Sequence, residues 1–88
     1  MIFYHGTSQK NWNEIQREGV LWGRREVEGF HPSRCTYLAT DKKEAESYGD
    51  VVLSVDYEPK SDKDNYSDGC WQLRVYDPIP TSRISRER

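Results

Sequence analysis

Between Val51 and Tyr57 the apolar residues fall on alternate positions: Val51, Leu53, Val55 and Tyr57 are interleaved with Val52, Ser54 and Asp56. A period of two marks a strand with one face in a core. Trp71, Leu73 and Val75 repeat the pattern against Gln72, Arg74 and Tyr76, predicting a strand over Trp71–Tyr76. Shorter strands are expected at Ile2–Tyr4, Val20–Trp22 and Cys35–Ala39, where β-branched and aromatic residues cluster. Pro78 and Pro80 interrupt the following segment, so Ile79–Ile84 is expected as a last edge strand.

Two stretches carry a helical period instead. Trp12 and Ile15 stand three apart, behind Asn11 and Glu14 spaced as a capping box, and Gly19 supplies the left-handed stop. Thr7 and Ser8 offer further capping oxygens. The second helix opens with Asp41 and Glu44 in another capping box, runs one or two turns and stops at Gly49. Residues 23–34 read as a long irregular loop with Gly23, Gly29 and Pro32, a kind of loop that is more often functional than idle in so small a domain. Glu58–Gly69 reads as a mobile polar connection.

Two short helices cannot cover a parallel sheet. The expected fold is therefore α+β, a small and mostly antiparallel sheet of five or six strands. Its core would use Phe3, Trp12, Ile15, Leu38, Leu53, Val55, Leu73 and Val75. A single domain is expected over residues 1–84, with 85–88 as a charged C-terminal tail.

Composition narrows the class. At 88 residues the chain can bury only a small core, but three Trp, six Tyr and two Phe argue against disorder. A net charge of −2 offers no basic footprint for nucleic acid. With no apolar run able to span a bilayer and no signal-peptide core, a cytoplasmic protein is expected, with Cys35 and Cys70 as reduced thiols.

No glycine-rich phosphate loop or nucleophile elbow is present. His5, His31, Cys35 and Cys70 match no compact zinc spacing, so no metal site is expected. What stands out is the run Phe3-Tyr4-His5-Gly6-Thr7-Ser8, in which a histidine and a glycine follow where the first strand should stop. Glycine there lets a ligand approach backbone. Tyr37, Tyr48 and Gln72 are the other groups suited to a polar, aromatic site, since two tyrosines can sandwich a flat ring.

Taken together these residues resemble the ADP-ribosyltransferase superfamily, in its His-Tyr-Glu branch of diphtheria-toxin and poly(ADP-ribose) polymerase type. Tyr4-His5-Gly6-Thr7 matches the opening motif, and Tyr37-Leu38-Ala39 with Tyr48 matches the segment carrying two nicotinamide-stacking tyrosines. Gln72-Leu73-Arg74-Val75-Tyr76-Asp77 aligns with the third motif, so Gln72 stands where that branch has its catalytic glutamate. The likeness runs from Tyr4 to Asp77 and implies a split antiparallel fold with an NAD cleft, trimmed to a minimal core. It implies NAD as substrate: His5 on the adenosine-side ribose, Gly6 on the carboxamide, Tyr37 and Tyr48 stacked on nicotinamide, Gln72 at the ribose 2′-hydroxyl, and Thr7 as a further binding residue. His5, Tyr37 and Gln72 would form the catalytic set.

Two departures bear on activity. A carboxylate at the 2′-hydroxyl stabilises a cationic transition state, whereas the amide of Gln72 can hold the hydroxyl without supplying charge. Losing such a group commonly costs on the order of 10²–10³ in rate. Ala45 also replaces a serine that usually holds the nicotinamide amide. Two readings follow: slow mono-ADP-ribosyl transfer or NAD hydrolysis, with a protein as one acceptor class, or an inactive module binding a nucleotide, ADP-ribose or a protein. RNA 2′-phosphotransferases share the fold and opening segment; Arg24 and Arg74 favour that minor alternative, and the acidic balance argues against it.

Overall fold

The computed structural model describes residues 1–23, 35–60, 65–66 and 72–88. The expected 23–34 loop beyond Gly23, with His31, and the expected contributions of Cys70 and Trp71 lie outside these residues. The chain runs through β1 (Ile2–Thr7), α1 (Gln9–Glu18), β2 (Val20–Leu21), β3 (Thr36–Ala39), α2 (Lys42–Glu46) and β4 (Val51–Asp56). It continues with β5 (Asn65–Tyr66), β6 (Gln72–Val75), β7 (Ile79–Pro80), a 3-10 turn at Thr81–Arg83, and β8 (Ile84–Arg86). Six strands form one antiparallel sheet in the order β5-β6-β3-β1-β4-β8, while β2 and β7 pair separately. This is the small α+β architecture, with two helices, that the patterning predicts.

β1 does not stop at Tyr4. It continues through His5, Gly6 and Thr7, because β4 supplies partners for all three in Leu53, Val52 and Val51. The helix follows at once, so its N-cap is Ser8 and not Asn11. Ser8 has extended backbone angles, and its Oγ accepts the Asn11 N–H at 3.1 Å. At the other end Gly19 takes φ 79° and donates its N–H to the Ile15 carbonyl, as expected of a glycine stop. α2 is capped by Asp41, which accepts from the Lys43 N–H. It ends at Glu46, ahead of Gly49, and Ser47 closes it by donating its N–H to the Glu44 carbonyl.

The two faces of the sheet bury different things. Phe3, Leu38, Leu53, Val55, Leu73 and Val75 pack with Trp12 and Ile15 of α1, and every expected core residue belongs to this cluster. Leu21, Val51, Tyr57 and Ile79 complete it. On the other face Val52, Ala39 and Ala45 are buried against Tyr4, so β4 is apolar on both sides at Val52. α2 lies over this second face.

Three further expectations change. The Glu58–Gly69 connection contains β5, whose Asn65 and Tyr66 oppose Arg74 and Leu73. Ile79–Ile84 is not one strand: Ile79 and Pro80 pair with Leu21 and Val20, the 3-10 turn intervenes, and Ile84 begins β8. Proline is tolerated in β7 because that ladder is only two strands wide, with an edge to spare. Residues 85–88 are not a free tail. Ser85 and Arg86 pair with Ser54 and Leu53, and Glu87 and Arg88 bond to Val52.

Candidate functional site

β1 is the strand on which the site is built. It pairs along its length with β4, but its register with β3 is Tyr4 opposite Ala39, beyond which the two strands part. A cleft of about 460 Å³ opens there, walled by β1, β3, α1, α2 and β2. His5, Gly6, Thr7, Tyr37 and Tyr48 all line it. Five residues read from the sequence as binding groups thus share one cavity, although they come from three separated stretches of chain.

His5 stands where the ladder ends. Its Nδ1 lies 2.8 Å from the Tyr37 carbonyl oxygen, and since a carbonyl only accepts, Nδ1 carries the proton. Nε2 is then the acceptor nitrogen of the neutral ring. Burial holds the His5 pKa below its ordinary value of 6.5, outweighing the Tyr37 bond, which acts in the opposite direction. The ring is therefore neutral at physiological pH and able to accept a hydroxyl donor.

Gly6 presents its backbone to the cleft for a reason legible in the ladders. Val52 bonds through both its N–H and its C=O to the segment after β8. In an antiparallel sheet a residue that pairs on one side turns neither group to the other. Gly6, opposite Val52, therefore directs its N–H and C=O away from β4, toward the gap between β1 and β3. Were the β1–β3 ladder unbroken, Gly6 would oppose Tyr37. The His5 ring bonds the Tyr37 carbonyl, beside the Gly6 edge that faces the cleft.

The glycine itself is required by packing. A Cβ at Gly6 would come 1.9 Å from the Ala45 carbonyl oxygen and 3.1 Å from the Tyr48 Cβ. Close approach of α2, and not of a ligand, is what excludes a side chain here. Gly49 repeats the arrangement, since its Cβ would meet the Thr7 carbonyl at 2.2 Å. Ala45, 1% exposed, is buried in this seam.

The tyrosines are held differently. Tyr37 is anchored within β3, opposite Arg74, and is 38% exposed. Tyr48 follows α2 and is 55% exposed, with its N–H donated to the Ala45 carbonyl. Exposed aromatic surface on a cleft wall is available for stacking. Gln72 enters through its register: its backbone opposes Ala39, which is itself a wall residue.

Sequence reasoning missed the α1 wall. Asn11, Glu14, Ile15 and Glu18 line the cleft at positions i, i+3, i+4 and i+7, one face of the helix. From the sequence, Ile15 reads as a core residue and Asn11 and Glu14 as a capping box, none of them as a wall residue; the spacing of the two carboxylates is the signal available. Among the described wall residues there is no Lys or Arg, so Glu14 and Glu18 give this side a negative potential. Trp22 was also missed as a wall residue. Its indole N–H donates to the Tyr76 carbonyl at 3.0 Å, and the neighbouring Gly23 N–H donates to Thr36 Oγ1 at 2.7 Å. Among the described residues no helix is long and apolar enough to cross a membrane.

No family model, curated protein or solved structure matches this chain.

Proposed function

We propose that this domain binds NAD in the β1–β3 cleft, on an ADP-ribosyltransferase-like fold in the cytoplasm. The observation that carries the reading is the convergence of His5, Gly6, Tyr37 and Tyr48 on one cavity. His5 Nε2 accepts a ribose hydroxyl, and the outward-facing Gly6 N–H and C=O pair with a carboxamide, which needs one acceptor and one donor. Thr7 closes the floor beside them. Tyr37 and Tyr48 stack on the nicotinamide ring, whose positive charge suits the negative α1 wall.

If catalysis occurs, it is mono-ADP-ribosyl transfer or NAD hydrolysis. The nicotinamide–ribose bond breaks, nicotinamide leaves with the bonding pair, and water or an acceptor nucleophile adds to the ribose carbon and gives up its proton. Gln72 holds the 2′-hydroxyl without a charge to stabilise the cation, so turnover is slow. The identity of Gln72 favours a second reading, in which the same pocket binds ADP-ribose or a related nucleotide and catalyses nothing.

Calorimetric titration with NAD tests the proposal. The folded protein is expected to bind, and His5→Ala to weaken binding by about tenfold or more, the weight of a buried hydrogen bond. Equal affinity in the two proteins would refute the assignment. A nicotinamide-release assay then separates enzyme from binder.

A further inference from the structure

The turn that carries Tyr48 is gripped from outside the cleft by a residue that the family likeness does not reach. The Arg88 guanidinium donates from Nη2 to the Gly49 carbonyl at 3.0 Å and from Nε to the Asp50 carbonyl at 3.2 Å. Its Nη1 lies 3.7 Å from Glu46 Oε1, at the end of α2. Arg88 is itself fixed to the sheet, since its N–H bonds the Val52 carbonyl and its carbonyl accepts the Val52 N–H. One planar fork thus ties the last residue of α2 to two successive carbonyls of the connection into β4.

Tyr48 has little else to hold it. More than half of its surface is exposed, so burial does not fix the ring, and its direction follows the backbone of the turn. On the opposite side the same turn rests on β1, with Gly49 against Thr7 and Tyr48 Cβ close to Gly6. The gap between β1 and the Tyr48 wall is therefore set by two contacts: the glycine seam within and the Arg88 fork without.

We infer that Arg88 is a positioning residue that fixes the Tyr48 wall and so sets how tightly the cleft grips a flat ring. This rests on the nucleotide reading for the identity of the ring. The clamp itself is read from geometry alone. Lysine at this position would keep the charge facing Glu46 but could not reach both carbonyls in one plane.

Two measurements test the inference on the full chain, with Arg88→Ala, Arg88→Lys and, as a control on exposed β8, Arg86→Ala. The first is amide hydrogen exchange without ligand. Arg88→Ala is expected to raise exchange at Tyr48 and Asp50 by about tenfold, with Trp12 in α1 unchanged and Arg86→Ala silent. Arg88→Lys should lie closer to alanine than to wild type. Uniform acceleration that includes Trp12, or none at the turn, would overturn the clamp.

The second is affinity for NAD against ADP-ribose, which lacks the ring that Tyr48 would stack on. Loss of about tenfold for NAD with less than about twofold for ADP-ribose is the expected split. Equal losses would overturn the positioning role. A wild-type protein that binds neither nucleotide would refute the nucleotide reading and leave exchange to decide the clamp.

Discussion

His5 Nδ1 and the Tyr37 carbonyl oxygen, 2.8 Å apart, bridge β1 and β3 at the point where those strands separate. This bond orients the imidazole at the place where the Gly6 backbone edge faces the cleft. Loss of His5 should disturb binding and the local ladder together.

The pH dependence of stability follows from that environment. His5 titrates below 6.5 in the folded chain because burial penalises the imidazolium. The unfolded chain therefore binds more protons in the window just under 6.5, and stability rises with pH there. As pH falls below about 6.5 stability should decline, levelling off once the folded-state value is passed. Urea midpoints between pH 5 and 7.5 should show this slope in wild type and a shallower one in His5→Gln. Parallel curves would mean that His5 is not the titrating group.

Gly6→Ala should destabilise the fold by about 1–3 kcal/mol, since the new methyl meets backbone that can yield only by moving α2. It should also weaken ligand binding, because Tyr48 shifts with α2. Gly19→Ala provides the contrast. It has open space but a left-handed φ of 79°, so it should cost roughly 1–2 kcal/mol and leave affinity untouched. Equal effects of the two changes on affinity would remove the link between the seam and the site.

Under the proposed NAD chemistry, Gln72→Glu would supply the charge that a cationic transition state needs. Nicotinamide release should rise by about 10²–10³ if the pocket is otherwise competent. An unchanged rate, with NAD still bound, would instead support the binding-module reading.

Neutralising the α1 wall with Glu14→Gln and Glu18→Gln should have opposite effects on the two ends of a dinucleotide. Each exposed carboxylate contributes about 0.2–1 kcal/mol. Binding of ADP-ribose, all of whose charge is negative, should strengthen a few-fold, and more so at low salt. NAD, with its cationic ring, should gain less. Identical gains would indicate that the ring does not sense this wall.

The strands of the sheet were largely legible in the chain because one-sided burial imposes a period of two, clearest at Val51–Tyr57. The eight core residues named from the strand and helix periods are all buried together. Boundaries were harder. Nothing local in His5-Gly6-Thr7 signals that β4 will carry β1 three residues further, and Ser8 caps α1 only because the strand delivers it in extended geometry. β5 and β7, at two residues each, are too short for any period, and their pairing comes from partners elsewhere. The wall residues His5, Gly6, Thr7, Tyr37 and Tyr48 could be named by motif. Arg88 and the α1 carboxylates could not, since their roles depend on which surfaces the topology brings together.

The position of β4 has a kinetic consequence. It lies between the first strand and the last, and its pairs with β1 join residues from 44 apart, Thr7 with Val51, to 54 apart, Ile2 with Asp56. Contacts that close such long loops are paid for in chain entropy before they are rewarded, so folding should be slow for a domain of this size. On a ribosome the centre of the sheet can assemble only after β4 has emerged. The grip of Arg88 on the turn before β4 must come later still, making the Tyr48 wall the last part of the cleft to take shape.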